Sequence, residues 1–292
     1  MRTETPSLPA HACDCHAHVF EPARFAYATQ RAYTPPAADA RQLKELHRGL
    51  GVERVVLVQP SVYGTDNACL LDALKAYGAD QARGVAVVDL AAIADDALRA
   101  LHEGGVRGAR LNLHVSGGGL DAARQQVERA RRLRALPGWS LQVHAGLDLV
   151  VALLDDLRGL EVPVVLDHYA GGLLPDPASE DLLAHLLAEL RRGHLYVKLS
   201  APYRLWSGAG MDHAARLARE FHAAAPDRIL WGSDWPHTGG SGHRGGAQDA
   251  IEPFRSICND QVLRELLACL PDEDACHRLL VRNPAALYGF DA

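Results

Sequence analysis

Ionisable side chains stand at the ends of three apolar runs that lie far apart in the 292-residue chain. The runs are "CDCHAHVF", "VVLDHYAGG" and "LWGSDWPHTGG", and they carry His16 with His18, His168, and Asp234. Imidazole and carboxylate groups can take a proton from water or ligate a divalent metal. Charged groups in a dry interior are costly unless they are paired or ligated. The three runs therefore predict one shared site that supplies partners, a metal or a substrate.

Polar residues also end other apolar runs of the chain. His144 closes "SLQVHAG", and the remaining members of this set are Gln59, Ser61, Arg110, Asn112, Lys198 and Ser200. A single buried histidine is usually a satisfied core residue, but a whole set of converging polar ends is difficult to explain in that way. These residues extend the predicted site to most of the strand ends.

Strand alternation predicts the direction in which the two cysteine side chains of the first run point. Side chains of a strand point to opposite faces in turn, so Asp14, His16 and His18 share one face. Cys13 and Cys15 are then expected to point away from the site, toward surrounding helices. The pair is also half of a typical zinc motif, although no second thiol pair follows at zinc spacing. The six cysteines are thinly spread, which favours reduced thiols over disulfides.

The elements that must position these residues alternate regularly. Apolar runs rich in Val, Ile and Leu predict strands at 13–20, 54–61, 83–90, 106–113, 140–146, 163–170, 195–201 and 228–236. Segments of helical period fill the gaps, for example 121–136, 179–192 and the tail from Ala247. Eight near-continuous apolar strands separated by helices favour a closed (β/α)8 TIM barrel over an open doubly wound sheet. We therefore predict one barrel domain over residues 1–292, with C-terminal helices.

The predicted barrel also predicts where the site lies. Active sites of such barrels are built at the carboxyl ends of the strands, which is where the polar residues fall. Glycine-rich segments at 116–120 and 238–246 follow strands and are expected to be mobile loops of the active site. The first strand is not followed by a glycine-rich phosphate loop, which argues against an open nucleotide-binding fold.

Composition excludes several classes of function. The formal net charge is −6 and the pI is about 6.2, which gives no electrostatic support for binding nucleic acid. No apolar run approaches the roughly 20 residues of a membrane span, and the first residues lack the apolar core of a signal peptide. We expect a cytoplasmic protein that binds a small molecule, and its Ala-, Arg- and Leu-rich helices permit a homodimer.

The motifs resemble those of the amidohydrolase superfamily, and more narrowly its 2-pyrone-4,6-dicarboxylate lactonase-like branch. The resemblance is carried by "DCHAH", "QVHAG", "LDHYAG" and "GSDWPH" in this order, and by "RAYTPP", "VQPSVYGTDN", "GVRGARLN", "APYRL" and "RNPAALYGF". It implies that Asp234 is the general base for water and that His168 is a polarising partner. The substrate contacts that it implies are His16, His18, Tyr33, Ser61, Arg110 and Arg204.

The resemblance leaves the metal question open. The lactonases of this branch work without a metal and lack a histidine at the fifth strand, where this chain has His144. Together with His16, His18 and Asp234, this histidine completes a set that suits one Zn²⁺ or Mn²⁺. A carboxylated bridging lysine at Lys198 is a weaker alternative, because such a lysine is expected on the fourth strand.

The chemistry of the set also points to hydrolysis. Opening a lactone requires a water, a base for its proton and positive groups near the developing oxyanion. Arg110 and Arg204 match carboxylates in bidentate geometry, which predicts an acidic substrate. The resemblance implies that this substrate is a lactone of the 2-pyrone-4,6-dicarboxylate, sugar-acid or muconolactone type. The segment after Arg110 offers no further arginine for a second carboxylate, so the preferred lactone can differ from the pyrone. The alternatives are a metal-dependent nonoxidative decarboxylase of the same superfamily and a non-catalytic barrel that binds an acidic metabolite.

Overall fold

A computed structural model describes residues 8–113, 119–171, 177–205, 210–239 and 249–291. The predicted mobile loops at 116–120 and 238–246 lie largely outside these described residues. Within the described ranges no helix is long and apolar enough to cross a membrane.

Eight parallel strands follow one another around a sheet in sequence order. Their bounds are β1 Cys13–Ala17, β2 Arg54–Val58, β3 Ala82–Ala86, β4 Val106–Asn112, β5 Ser140–His144, β6 Val164–Leu166, β7 Leu195–Ser200 and β8 Ile229–Gly232. The last strand returns to the first through a parallel bridge between Ala17 and Trp235, and the amide of His18 donates to the carbonyl of Trp235 over 2.8 Å. The sheet is therefore a nearly closed barrel, which confirms the predicted (β/α)8 architecture.

Helices cover the outside of the barrel. They are α1 Ala40–Leu50, α2 Ala68–Tyr77, α3 Asp95–Glu103, α4 Gly119–Arg129, α5 Leu147–Ala152, α6 Leu154–Arg158, α7 Pro177–Leu190, α8 Gly210–Ala224, α9 Asn259–Leu267, α10 Glu273–His277 and α11 Asn283–Tyr288. Helix α1 shows how the sequence starts and stops such an element. Asp39 and Gln42 form a capping box at its beginning, and Gly51 takes the left-handed conformation, with φ of 78°, at its end.

All eight predicted strands are present, but they end earlier than the apolar runs do. His18 and Asp234 lie just beyond β1 and β8, and His168 begins the short segment His168–Gly171 after β6, so none of the three lies within a strand. The physical reason is visible in the backbone, since His168 and Asp234 have φ of 49° and 60°. L-residues rarely adopt this left-handed region, and a strand cannot continue through it.

The prediction about the cysteine face was wrong. Cys13 and Cys15 pack inside the barrel with Val56, Val58, Val85, Val165, Tyr196 and Leu230. Asp14 instead points outward, where its Oδ2 lies 3.2 Å from Nε2 of His47 on α1. The register between β1 and β2 shifts between Asp14 and Ala17, as in a β-bulge. Strict alternation fails at such an irregularity, because the extra residue re-aims the side chains that follow it.

The chain's C-terminal segment closes the lower end of the barrel, where the strands begin. Leu287, Tyr288 and Phe290 join the interior cluster of Cys13 and its neighbours. The guanidinium of Arg54, at the start of β2, donates to the carbonyl of Asp291 over 2.6 Å. The barrel is thus plugged at the bottom, and the polar strand ends lie at the opposite, upper end.

Candidate active site

Three imidazoles surround one oxygen of Asp234. Its Oδ1 lies 3.6 Å from Nε2 of His16, 3.6 Å from Nε2 of His18 and 3.8 Å from Nε2 of His168. All four side chains are buried, and among the residues that the structure describes Oδ1 of Asp234 and Nε2 of His16 have no hydrogen-bond partner. The structure therefore brings the ends of β1, β6 and β8 together, as the sequence predicted they would meet.

The second oxygen of Asp234, Oδ2, accepts three hydrogen bonds. Arg204 donates to Oδ2 from Nε at 3.1 Å and from Nη2 at 3.0 Å, and the hydroxyl of Tyr203 donates to the same oxygen at 2.5 Å. Burial opposes the charge on Asp234, but the Arg204 guanidinium and the His168 imidazole hold the pKa of this carboxyl well below its usual range. Asp234 is accordingly ionised at neutral pH, with one oxygen left for chemistry.

The backbone around Asp234 places it against β1. Its amide donates to the carbonyl of His16 over 2.8 Å. A Cβ at Gly232 would come within 2.5 Å of the Cβ of His16, so only glycine allows β8 to approach β1 this closely. The "GSD" sequence of the third apolar run thus has a steric role as well as a chemical one.

The Nδ1 atoms of His18 and His16, on the side of each ring away from Asp234, both lie close to an oxygen atom. Nδ1 of His18 lies 2.7 Å from the carbonyl oxygen of Val58, and a carbonyl can only accept, so Nδ1 carries the proton. Nδ1 of His16 lies 3.3 Å from Oδ1 of Asp167, which favours a proton there as well. Burial lowers the pKa of His16 to about 4, against the opposing effect of Asp167. In the neutral tautomer that each contact favours, the ring presents an unprotonated Nε2 toward Asp234.

Asp167 is the centre of a second buried cluster below the histidines. Its Oδ2 accepts from Nε and Nη2 of Arg110 at 3.0 Å each and from Nε2 of Gln142 at 3.1 Å. Nζ of Lys198 donates to Oε1 of Gln142 over 2.7 Å and lies 3.5 Å from Nδ1 of His16. Burial opposes its charge, but His16 and Arg110 hold the pKa of Asp167 well below its usual range. Arg110, predicted as a substrate contact, is thus also the ion-pair partner of Asp167.

His168 and His144 lie side by side. Nδ1 of His168 is 2.8 Å from Oγ of Ser200, and burial lowers the pKa of His168 well below its usual value. The ring of His144, at the end of β5, lies 5.0 Å from that of His168, centre to centre. His144 therefore contacts the site by packing against the ring of His168.

The donor atoms fit a single divalent metal. Nε2 of His16, Nε2 of His18 and a carboxylate oxygen of Asp234 lie within 4.8 Å of one another, and a second group joins His16, Asp167 and His168. Tetrahedral zinc with ligands at roughly 2.1 Å requires donors about 3.4 Å apart, close to the 3.6 Å found between Asp234 and each of His16 and His18. His144, which the sequence analysis included in the ligand set, belongs to neither group. The orphaned Nε2 of His16 and Oδ1 of Asp234 are the observations that support this fit.

The remaining predicted residues lie on the same side of the barrel. Tyr33 is buried in the loop between β1 and α1, near enough to Arg204 to help raise the pKa of that guanidinium, behind the larger effect of Asp234. Ser61 begins a 3-10 turn, Ser61–Tyr63, directly after β2. Their contact with a substrate stays a prediction.

Two site residues were missed from the sequence. Asp167 precedes His168 in "LDH", and strand alternation assigned only His168 to the interior; β6 ends at Leu166, so both side chains turn inward. Tyr203 precedes Arg204 in "APYRL", and the turn Pro202–Arg204 sends both side chains to Asp234. Adjacency to a predicted site residue was the available signal in both cases.

The sequence of this chain is similar to those of known proteins. The amidohydrolase family model matches residues 13–290, so the chain belongs to the amidohydrolase family. It is 33% identical to the 4-sulfomuconolactone hydrolase of Rhizobium radiobacter over 288 residues, covering 97% of this chain and 91% of that protein. It is also 33% identical to the 2-pyrone-4,6-dicarboxylate hydrolase of Comamonas testosteroni over 293 residues, covering 96% and 91%.

A solved structure supports the same family. The probable 2-pyrone-4,6-dicarboxylic acid hydrolase of Acinetobacter baumannii, crystallised with citric acid, superposes with a TM-score of 0.79 at 25% identity. The match covers 96% of this chain and 100% of that one. Fold, family and relatives agree with the superfamily and branch that the motifs had indicated.

Proposed function

We propose that this protein hydrolyses a small carboxylated lactone, with Asp234 as the base that activates water. The observation that carries the proposal is the asymmetry of Asp234. Oδ2 is held by Arg204 and Tyr203, while Oδ1 faces three imidazoles and has no hydrogen-bond partner within the described part of the chain. The relatives named for sulfomuconolactone and pyrone-dicarboxylate hydrolysis support the substrate class.

In this mechanism water binds between Oδ1 of Asp234 and the histidines. Asp234 takes its proton as the oxygen attacks the lactone carbonyl. The proton then passes to the ring oxygen as the acyl–oxygen bond breaks, and the hydroxy acid leaves. His168 lies across the site from His18 and, when its Nε2 carries a proton, can donate to the oxyanion that forms.

His16, His18 and Asp234 are the residues that would hold a divalent metal. Such an ion would supply Lewis-acid polarisation and would lower the pKa of water. The support is the donor geometry and the unprotonated Nε2 atoms that Val58 and Asp167 favour. Asp167 and its partners act on His16 whether or not an ion is bound, because they orient the ring.

The charges around the site favour an anionic substrate. Arg110, Lys198 and Arg204 supply three positive charges, whereas Asp167 and Asp234 supply two negative ones. Burial lowers the pKa of Lys198 to about 8, which leaves this amine largely protonated at neutral pH. The excess positive charge attracts a carboxylate in a water-poor cavity, where screening is weak.

A lactone panel tests the proposal. Wild-type protein is mixed with carboxylated lactones of the pyrone, muconolactone and sugar-acid types, and proton release is followed with a pH indicator. We expect release that depends on the enzyme and on the carboxylate of the substrate. The methyl ester of each lactone is the matched control.

The same panel separates the alternatives. A decarboxylase would release CO2 from a carboxylated substrate, and a non-catalytic binder would retain its ligand unchanged. Either result in place of proton release would refute the lactonase. Cytoplasmic location, a single domain over 1–292 and a homodimer remain predictions, the last testable by light scattering.

A further inference from the structure

The two oxygens of Asp234 differ in the hydrogen bonds that they accept. Oδ2 accepts three hydrogen bonds, two from Arg204 and one from the hydroxyl of Tyr203. Oδ1 accepts none from the described residues and faces the Nε2 atoms of the three histidines. Arginine and carboxylate often pair side by side, with one N–H on each oxygen. Here both N–H groups of Arg204 point at Oδ2, so the carboxylate is turned away from the side-by-side arrangement.

Tyr203 is placed to prevent rotation of the carboxylate into that arrangement. Ala201 takes a left-handed conformation, with φ of 51°, and Pro202 opens the turn that projects Tyr203 over β8. The Tyr203 hydroxyl has a single proton, which lies on the 2.5 Å contact to Oδ2 of Asp234. Nδ1 of His237, 3.2 Å from the same hydroxyl oxygen, must then be the donor in that second contact. The hydrogen bond from His237 therefore orients the Tyr203 hydroxyl toward Asp234.

Arg204 is fixed in a matching way. Its Nη2 also donates to the carbonyl and the hydroxyl of Thr238, at 3.1 Å and 3.3 Å. The turn after β7 thus binds one oxygen of Asp234 through Tyr203 and Arg204. The loop after β8 holds these two side chains in place through His237 and Thr238.

We propose that Tyr203 is a positioning residue that selects Oδ1 of Asp234 as the reactive oxygen. Without its hydroxyl, the carboxylate can rotate into a side-by-side pair with Arg204, and Oδ1 is then used by the arginine instead of by water. This inference rests on the proposed role of Asp234 as the base. It adds a residue that contacts neither water nor substrate in the mechanism above.

Tyr203→Phe tests the inference, with kcat and KM measured on the lactone that the panel selects. We expect kcat to fall roughly tenfold or more, the scale of a hydrogen bond to a charged group, with KM nearly unchanged. Tyr27→Phe is the matched control, because its hydroxyl donates to the carbonyl of Pro35 over 3.1 Å and does not touch Asp234. An unchanged or raised kcat in Tyr203→Phe overturns the inference.

A double-mutant cycle separates positioning from a merely structural role. If Tyr203 acts through Asp234, Tyr203→Phe should cost little further activity in an Asp234→Asn background. An equal loss in both backgrounds overturns the inference. If phenylalanine destabilises the fold, Tyr203→Gln and Tyr203→Leu give the same comparison, with the amide donor expected to retain more kcat than leucine. Normal kcat in Asp234→Asn alone would instead refute the proposed function.

Discussion

The upper and lower halves of the barrel interior are built by the same strands and differ completely in chemistry. The lower half is an apolar cluster of cysteine, valine, leucine and tyrosine side chains, closed by Leu287, Tyr288 and Phe290. The upper half contains His16, Arg110, Gln142, Asp167, Lys198 and Asp234, all of them buried. On β1 the change from one character to the other falls between Cys15 and His16.

The difference shows how a barrel supports buried charge. Charges in the upper half are mutually paired, since Arg110 holds Asp167 and Arg204 holds Asp234. Breaking one partner leaves the other charge in a poor dielectric, whereas a change in the lower half removes only packing. The two halves should therefore respond to mutation in different ways and to different extents.

Asp234→Asn in the upper half should have the largest effect on catalysis. The amide cannot take a proton from water, so kcat should fall by roughly a hundredfold to ten-thousandfold, the range of general acid–base contributions. Substrate affinity should change little, because Asp234 lies on the water side of the proposed mechanism. Steady-state kinetics on the lactone panel measures both quantities, and near-normal turnover would exclude Asp234 as the base.

Arg110→Met should damage the paired charges below the histidines. It leaves Asp167 buried beside Lys198 without its guanidinium partner, which should cost about 3–5 kcal/mol of folding free energy. Because His16 loses its support, activity on a carboxylated lactone and on its methyl ester should fall alike. Thermal melts and parallel kinetics check this, with the exposed Arg99→Met as control.

The opposite result for Arg110 would restore the interpretation made from the sequence alone. A KM that rises for the acid but not for the ester, in a protein of normal stability, would show that Arg110 binds the substrate carboxylate directly.

His18→Ala and His144→Ala sharpen the metal question in the upper half. His18 belongs to a close donor group with His16 and Asp234, whereas His144 does not. Zinc affinity, measured by competition with a chromogenic chelator, should fall roughly tenfold to a hundredfold or more for His18→Ala and much less for His144→Ala. Equal losses would place His144 among the ligands, as the sequence analysis had it. Wild-type activity that survives exhaustive chelation would exclude a catalytic metal.

Cys15→Ser in the lower half should have the smallest effect. A hydroxyl in place of a thiol in this apolar cluster should cost about 1–3 kcal/mol of folding free energy without changing KM. Cys258→Ser, at an exposed cysteine, is the matched control and should be neutral. If instead Cys15→Ser were also neutral, Cys15 would not be packed in the interior in the way the structure describes.

The class of fold and the location of the site could be predicted from the amino-acid sequence. Eight apolar runs separated by helical segments are sufficient to indicate a parallel barrel, and polar residues at the ends of the runs indicate where the strands open to a cavity. His16, His18, His168 and Asp234 were identified in this way because a barrel brings strand ends together whatever their separation along the chain. The predicted strands extended too far toward the C-terminus. Apolar composition does not show that a residue such as Asp234 adopts the left-handed backbone conformation, which ends a strand.

Only the tertiary structure decided which polar groups pair with one another. A bulge in β1 reversed the predicted faces of Asp14 and Cys15, and a strand that ends at Leu166 brought Asp167 into the site. The loops after β7 and β8 decided that Arg204 and Tyr203 bind one oxygen of Asp234 and leave the other to the histidines. Residue type fixes what a side chain can donate or accept, but the direction of each bond depends on backbone geometry that alternation along the sequence does not encode.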